Sequence, residues 1–208
     1  MGDGKTHSSY KRAKIDKDVG DDAVKVLQEK SIIRVEKAKN IFTSWSENEV
    51  VDNRLYFITP FHRFWFAFIS PLFKGIRDGE YKEVKQRFLN NKTEFVQHTF
   101  IELSQEVLKL NFKDDKIVEI GSYWDRNSEL DIFAKTKKGK TIVGSCKYTN
   151  SKIKKSELNR LHDICNSAKI EADIFVIFSK KGFSSELKAL KGENLKLFTL
   201  KNFKSLVE

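Results

Sequence analysis

Two cysteines, Cys146 and Cys165, are all that the 208 residues contain. They fit no metal-ligand spacing, and one pair over this length is no disulfide framework. Both are expected as buried thiols in a reducing cytoplasm. Proline is equally scarce, with two residues, and with 39% hydrophobic and 33% charged residues this excludes long disorder outside the start of the chain. No apolar run is long enough to span a bilayer: the richest stretch, Ile58 to Phe73, is broken by Pro60, His62, Arg63 and Pro71. No membrane partner is therefore expected. The first residues are polar, so no secretory leader is expected either. A phosphate-binding loop is also missing. Gly4-Lys5-Thr6 looks like the end of one, but that motif needs a buried strand and a further glycine upstream, and there is room for neither. No nucleotide site is expected in this chain.

Negative charge is in deficit. Against 39 Lys and Arg stand 29 Asp and Glu, a formal net charge of +10. A basic surface favours a polyanionic partner, by counterion release from nucleic acid or by attraction to anionic lipid, and of these DNA is the expected partner. The length allows one medium domain, or a small one attached to a core of ordinary size.

The pattern along the chain divides it into four parts. Residues 1–20, rich in Gly, Ser, Lys and Asp, are expected to be flexible. Residues 21–59 suggest a partial winged helix: a helix over Asp21–Lys30, strands at Ser31–Glu36 and Arg54–Ile58, and a long wing over Lys37–Asn53, with no good helix in front. Residues 60–91 form an aromatic helical connector, in which Phe61, Phe64, Trp65 and Phe68 fall on one helical face, expected to be buried. Residues 92–208 read as an α/β domain. Its first helix, Lys92–Leu110, has an apolar stripe of Val96, Phe100, Leu103 and Val107, with His98, Glu102 and Glu106 on a neighbouring face. Strands follow at Lys116–Ser122, Glu129–Ala134 and Thr141–Tyr148. Then come a helix from Ser156, its expected N-cap, to Lys169, a buried strand Ala172–Phe178, a short helix near Ser184 and a strand Leu195–Leu200. The order α-β-β-β-α-β-α-β predicts an α/β sandwich around a mixed sheet.

The chemistry concentrates on two adjacent strands. Period-two alternation puts Thr141, Val143, Ser145 and Lys147 on one face, towards Asp131 of the preceding strand if the hairpin register is tight. Carboxylates in such a place bind hard cations, a bound cation activates water and polarises a phosphodiester, and a lysine orients that water or stabilises developing charge. Glu102, on the preceding helix, is the natural further carboxylate. Glu129 shares the face of Asp131, about 6–7 Å along the strand. The turn lysines Lys137, Lys138 and Lys140, with Lys152, Lys154 and Lys155, are candidates for tracking a phosphate backbone, although such runs are more often a solvated rim.

Helix Glu102, strand Asp131 and Lys147 resemble, in this order, the PD-(D/E)XK restriction-endonuclease-like superfamily. More closely, residues 56–178 resemble an archaeal and bacterial domain of unknown function that usually follows a P-loop ATPase module and a winged helix. The pieces that carry this are Tyr56-Phe57-Ile58-Thr59-Pro60-Phe61-His62-Arg63-Phe64-Trp65-Phe66, Glu119-Ile120-Gly121-Ser122-Tyr123-Trp124, Glu129-Leu130-Asp131-Ile132 and Gly144-Ser145-Cys146-Lys147-Tyr148. The resemblance implies a restriction-endonuclease-like core of α-β-β-β-α-β order, an ATPase partner or module, and a magnesium site held by Asp131 and Glu102, for which Glu129 is a further candidate ligand. It also implies a glutamate where this chain has Ser145. A hydroxyl is a poor magnesium ligand. The expectation is therefore a nuclease-like, nucleic-acid-binding domain whose metal-dependent cleavage is impaired or lost. The alternatives are an active magnesium-dependent endonuclease using Asp131, Glu102 or Glu129, and Lys147, or a non-enzymatic regulatory module of an ATPase system.

Overall fold

The computed structural model describes residues 4–37, 52–125 and 127–207. They fall into two compact units, the first of residues 4–37 and 52–95 and the second of residues 96–207.

The first unit begins with strand β1 (Gly4–Lys5), helix α1 (Thr6–Ala13) and helix α2 (Lys17–Glu29). The segment expected to be flexible is thus built largely of helix, and a helix does stand in front of α2. Tyr10 of α1 lies across Gly20 of α2, and its hydroxyl donates to Asp21 at 2.8 Å. Strands β2 (Ile33–Glu36) and β3 (Arg54–Phe57) pair antiparallel, and β1 adds to the other edge of β3, giving the order β1-β3-β2. Most of the expected wing lies outside the described residues.

Thr59 caps α3 (Pro60–Phe64): its hydroxyl accepts from the His62 amide at 3.2 Å, and Pro60 sits in the first turn, where a missing N–H costs nothing. The helix then widens into a π-turn over Trp65–Ile69. This overturns the single buried aromatic face. Phe68, inside the widened turn, is fully buried, but Phe61 ahead of it is 65% exposed: the wider hydrogen-bond spacing takes Phe68 out of 3.6-residue phase with the residues before the turn. A short α4 (Phe73–Arg77) precedes α5 (Lys82–Asn111), a continuous 30-residue helix that starts ten residues before the expected Lys92.

In the second unit α5 is followed by β4 (Ile117–Trp124), β5 (Glu129–Thr136), β6 (Thr141–Lys147), α6 (Lys155–Ser167), β7 (Ile174–Ser179), α7 (Ser185–Ala189) and β8 (Leu195–Thr199). The five strands form one mixed sheet in sequential order. The pairs β4–β5 and β5–β6 are antiparallel, and β6–β7 and β7–β8 are parallel. The core is α/β with the expected α-β-β-β-α-β order. Every residue of β7 is buried, as a strand between parallel neighbours and covered on both faces requires.

Alternation assigns the two faces. Phe133, Val143 and Ile177 pack with Leu158, Leu161 and Cys165 of α6. Ile132, Ala134, Ile142, Cys146, Val176 and Phe178 pack with Phe100, Val107 and Leu108 of α5. The Val, Leu, Ile and Phe side chains among these contribute about 1.5–3 kcal/mol each when fully buried. Both cysteines are free and buried. Leu103, expected in the α5 stripe, is 42% exposed, and Ser104 takes the inward place by donating to Phe100 O at 2.6 Å. Ser156 does not cap α6; the helix starts at Lys155, after Lys154. Among the described residues no helix is long and apolar enough to cross a membrane.

Candidate active site

The site lies where β5 leaves β6. Their ladder runs from Lys135–Thr141 to Ile132–Gly144 and stops, while β6 continues to pair with β7 as far as Lys147–Ser179. The backbone of β6 beyond Gly144 therefore lacks a strand on one side, and side chains take over. Asp131 Oδ2 accepts from the Cys146 amide at 2.7 Å. Gln97 of α5 donates to Cys146 O at 2.6 Å and accepts from the Tyr148 amide at 2.9 Å. The separation opens a fork with Asp131 on one prong and Ser145 and Lys147 on the other.

Gly144 stands at the crotch of the fork. A Cβ there would overlap Val176 Cγ2, lie 2.7 Å from Val176 O and 3.2 Å from Ile132 Cβ. Glycine at 144 thus sets how closely β6 and β7 approach just before the site residues.

Ser145 is fully buried, and its hydroxyl donates to Glu157 Oε1 at 2.7 Å. The same oxygen lies 3.4 Å from Lys147 Nζ and accepts from Arg160 Nη2 at 2.6 Å and Nε at 2.9 Å. The carboxylate absent from the strand at position 145 is thus met in space by one from α6. The two carboxyls are pushed in opposite directions. Burial pushes Asp131 up, with Glu129 adding to it, and the Cys146 amide and the Lys147 and Arg160 charges only partly oppose this. At Glu157 burial is outweighed by the Arg160 and Ser145 hydrogen bonds and the Lys147 charge, which hold it below its ordinary value.

All four pieces of the fork, Asp131, Ser145, Lys147 and Glu157, lie inside one stretch of family similarity. Residues 65–160 match the model of DUF234, archaeal and bacterial proteins of unknown function. The DUF234 match begins in the aromatic block and ends at Arg160. No curated protein matches the chain. A repair endonuclease from Pyrococcus abyssi is a similar solved structure, at 18% identity with a TM-score of 0.31 over 46% of each chain. The chain thus spans less than half the length of that endonuclease.

Of the residues singled out in the sequence, Asp131, Ser145 and Lys147 come together, and Glu129 is close enough to act on the charge of Asp131. Glu102 is placed differently. It lies on α5, which packs on the opposite face of the sheet from Ser145 and Lys147, and its carboxylate sits 3.4 Å from His98 Nε2. Gln105 of α5 reaches the Asp131 strand and donates to Asp131 O at 3.3 Å. Sequence reasoning missed Glu157, Arg160 and Gln97. A signal for the first two existed: Glu157 and Arg160 share an i, i+3 edge beside the inward-facing Leu158 and Leu161.

The fork offers a cation two carboxylate oxygens. Asp131 commits Oδ2 to the Cys146 amide and Glu157 commits Oε1 to Ser145, Lys147 and Arg160, whereas Asp131 Oδ1 and Glu157 Oε2 make no hydrogen bond among the described residues. Two carboxylate oxygens suit a hard cation that completes its shell with water and phosphate oxygens. A dedicated cage is not built, since no group of three or more His, Cys, Asp or Glu gathers among the described residues.

Proposed function

We propose that the fork is the active site of a divalent-metal-dependent nucleic-acid phosphodiesterase whose second carboxylate is Glu157 in place of the residue at 145. The observation that carries this is the Ser145–Glu157 hydrogen bond, which puts a carboxylate beside Lys147 although the strand lacks one. A cation held by Asp131 and Glu157 would polarise the phosphate and lower the pKa of an attacking water. The protein's own share is positional. Ser145 fixes the rotamer of Glu157, the Cys146 amide fixes Asp131, and Lys147 projects into the mouth of the fork to meet a phosphate oxygen or the attacking water. The formal charge of +10 supports a nucleic-acid substrate.

A second reading, a DNA-binding domain without cleavage, is favoured by Arg160. Its guanidinium already neutralises Glu157, so part of the charge a metal would offset is met by the protein. We read the first unit as winged-helix-like, on the support of its helix–helix–hairpin order with β1 beside β3. Its α2 carries Asp18, Asp21, Asp22 and Glu29 against Lys17 and Lys25, so phosphate contact is assigned to the second unit.

Nicking of supercoiled plasmid in magnesium or manganese, by wild type, Glu157→Ala and Lys147→Ala, separates the two readings. Cleavage by wild type that falls at least ~100-fold in both variants supports the metal nuclease. Equal background in all three leaves the binding reading.

A further inference from the structure

The lysines near the fork are not one population. Lys137, Lys138 and Lys140 lie in the turn joining β5 to β6, whereas Lys147 ends β6. Seven residues of strand separate Lys140 from Lys147, about 23 Å. The turn lysines also have structural partners for their backbone: Asp115 accepts from the Lys138 amide at 2.9 Å, Lys116 O from the Lys137 amide at 2.8 Å, and Thr136 Oγ1 from the Lys140 amide at 3.1 Å. They close a hairpin at the end of the sheet remote from the site.

The other end is different. The loops after the parallel strands β6 and β7 are zipped together. Ile153 bridges Phe183, the Ile153 amide donates to Gly182 O at 2.9 Å, and the Ser184 amide donates to Ile153 O at 2.9 Å. Ile153 and Phe183 are buried, so alternation turns Lys152 and Lys154 outward, and both are exposed. Lys181 is exposed on the adjoining loop. Lys180 pins that loop to the fork: its amide donates to Lys147 O at 3.1 Å, its ammonium to Asn150 Oδ1 at 2.9 Å, and it lies 4.3 Å from the centre of the Tyr148 ring. Residues 147–160 carry five Lys or Arg against one acidic residue, Glu157, which the site itself neutralises. The rim is thus held by backbone bonds on a packed inner face, with Lys152, Lys154 and Lys181 exposed on its outer face and Lys155 paired with Glu186 at 3.7 Å. It also lies at the carboxyl ends of parallel strands, where open α/β sheets generally place their ligands.

We infer that this rim, Lys152 and Lys154 with Lys181, holds the phosphate backbone of the nucleic acid that enters the fork, and that the Lys137–Lys140 turn does not. The inference rests on the nucleic-acid reading of the site and adds the face by which the substrate lies.

Two triple variants of the full chain test it, Lys152→Ala/Lys154→Ala/Lys181→Ala and Lys137→Ala/Lys138→Ala/Lys140→Ala. Each lowers the formal charge by three, so long-range attraction is matched. A fluorescent duplex DNA of about 30 base pairs is titrated without divalent cation over a range of salt, after melting curves establish that both variants fold. The rim variant should lose at least ~10-fold in affinity at low salt and lower the log–log salt slope by about 2–3, with the turn variant within about 2-fold of wild type. Equal losses in both variants, or a larger loss in the turn variant, overturn the rim assignment; if wild type still nicks plasmid, the active-site reading survives that result. A wild type that neither binds nor nicks overturns both.

Discussion

The Ser145 hydroxyl and the Glu157 carboxylate meet at 2.7 Å across the gap between β6 and α6. Strand and helix thus divide the duties that a single carboxylate on the strand would perform. Ser145→Glu alone should not improve the site. It would add volume at a fully buried position and place a second carboxylate against Glu157, so that one of the two must protonate. The exchange Ser145→Glu/Glu157→Ser restores one carboxylate and one hydroxyl with their places reversed. We expect metal-dependent nicking to fall at least ~10-fold in Ser145→Glu and in Glu157→Ser, and to recover at least partly in the double variant. A double variant no better than either single one would contradict the shared-position argument.

The two carboxyls give opposite pH signatures. Glu157 lies below its ordinary value of 4.5, so its contribution to stability is present above that pH and is lost as pH falls through its lowered value. Asp131 lies above its ordinary value of 3.8, so its contribution is present below that pH and is lost as pH rises through its raised value. Melting temperatures of wild type, Glu157→Gln and Asp131→Asn from about pH 3 to about pH 8 read both effects. Glu157→Gln should lose less than wild type on the acid side. Asp131→Asn, which can still accept from the Cys146 amide, should gain on wild type as pH rises. The reverse ordering would mean that the charges around the two groups are misassigned.

How much of the site can be read from the sequence follows from the ranges over which the local rules act. Alternation along Thr141–Lys147 places Ser145 and Lys147 on one face, and the short turn over 137–140 brings Asp131 to it; both are local facts. The sandwich likewise follows from short apolar strands broken by polar turns. What period alone does not settle is which helix covers which face. Glu102 was the natural partner because its helix precedes the strands, but Phe100, Val107 and Leu108 take α5 to the Cys146 face. The Ser145 face is left to α6. Glu157 is ten residues beyond Lys147, so strand alternation cannot reach it. In the aromatic block the limit was different: the residues after Phe64 follow a π-turn, a departure from helical phase for which no single residue is a marker.

Gly144 makes the fork sensitive to one methyl group. A Cβ at this position overlaps Val176 on the neighbouring strand and crowds Ile132, and two of these three contacts are with atoms fixed by the sheet. Gly144→Ala should cost about 1–3 kcal/mol in urea unfolding. Because Ser145 follows directly, nicking should fall further than the loss of folded protein explains. An alanine variant as stable and active as wild type would show that β6 and β7 can part without moving Ser145.

Gln97 offers a test of the unladdered edge of β6. Its side-chain amide donates to Cys146 O and accepts from the Tyr148 amide, so with Asp131 it replaces the strand that β5 ceases to provide. Gln97→Leu keeps an apolar body of similar length but removes both bonds, at about 1–3 kcal/mol for each backbone group left unpaired and dry. The loosened segment is the one carrying Lys147. Hydrogen exchange at the Tyr148 amide should therefore speed up well beyond the global change in stability, and nicking should fall with it. Gln97→Glu keeps the acceptor for the Tyr148 amide and loses the donor to Cys146 O, so it should protect Tyr148 while still weakening the fold. Unchanged exchange at Tyr148 in Gln97→Leu would mean that pairing with β7 alone holds Lys147 in place.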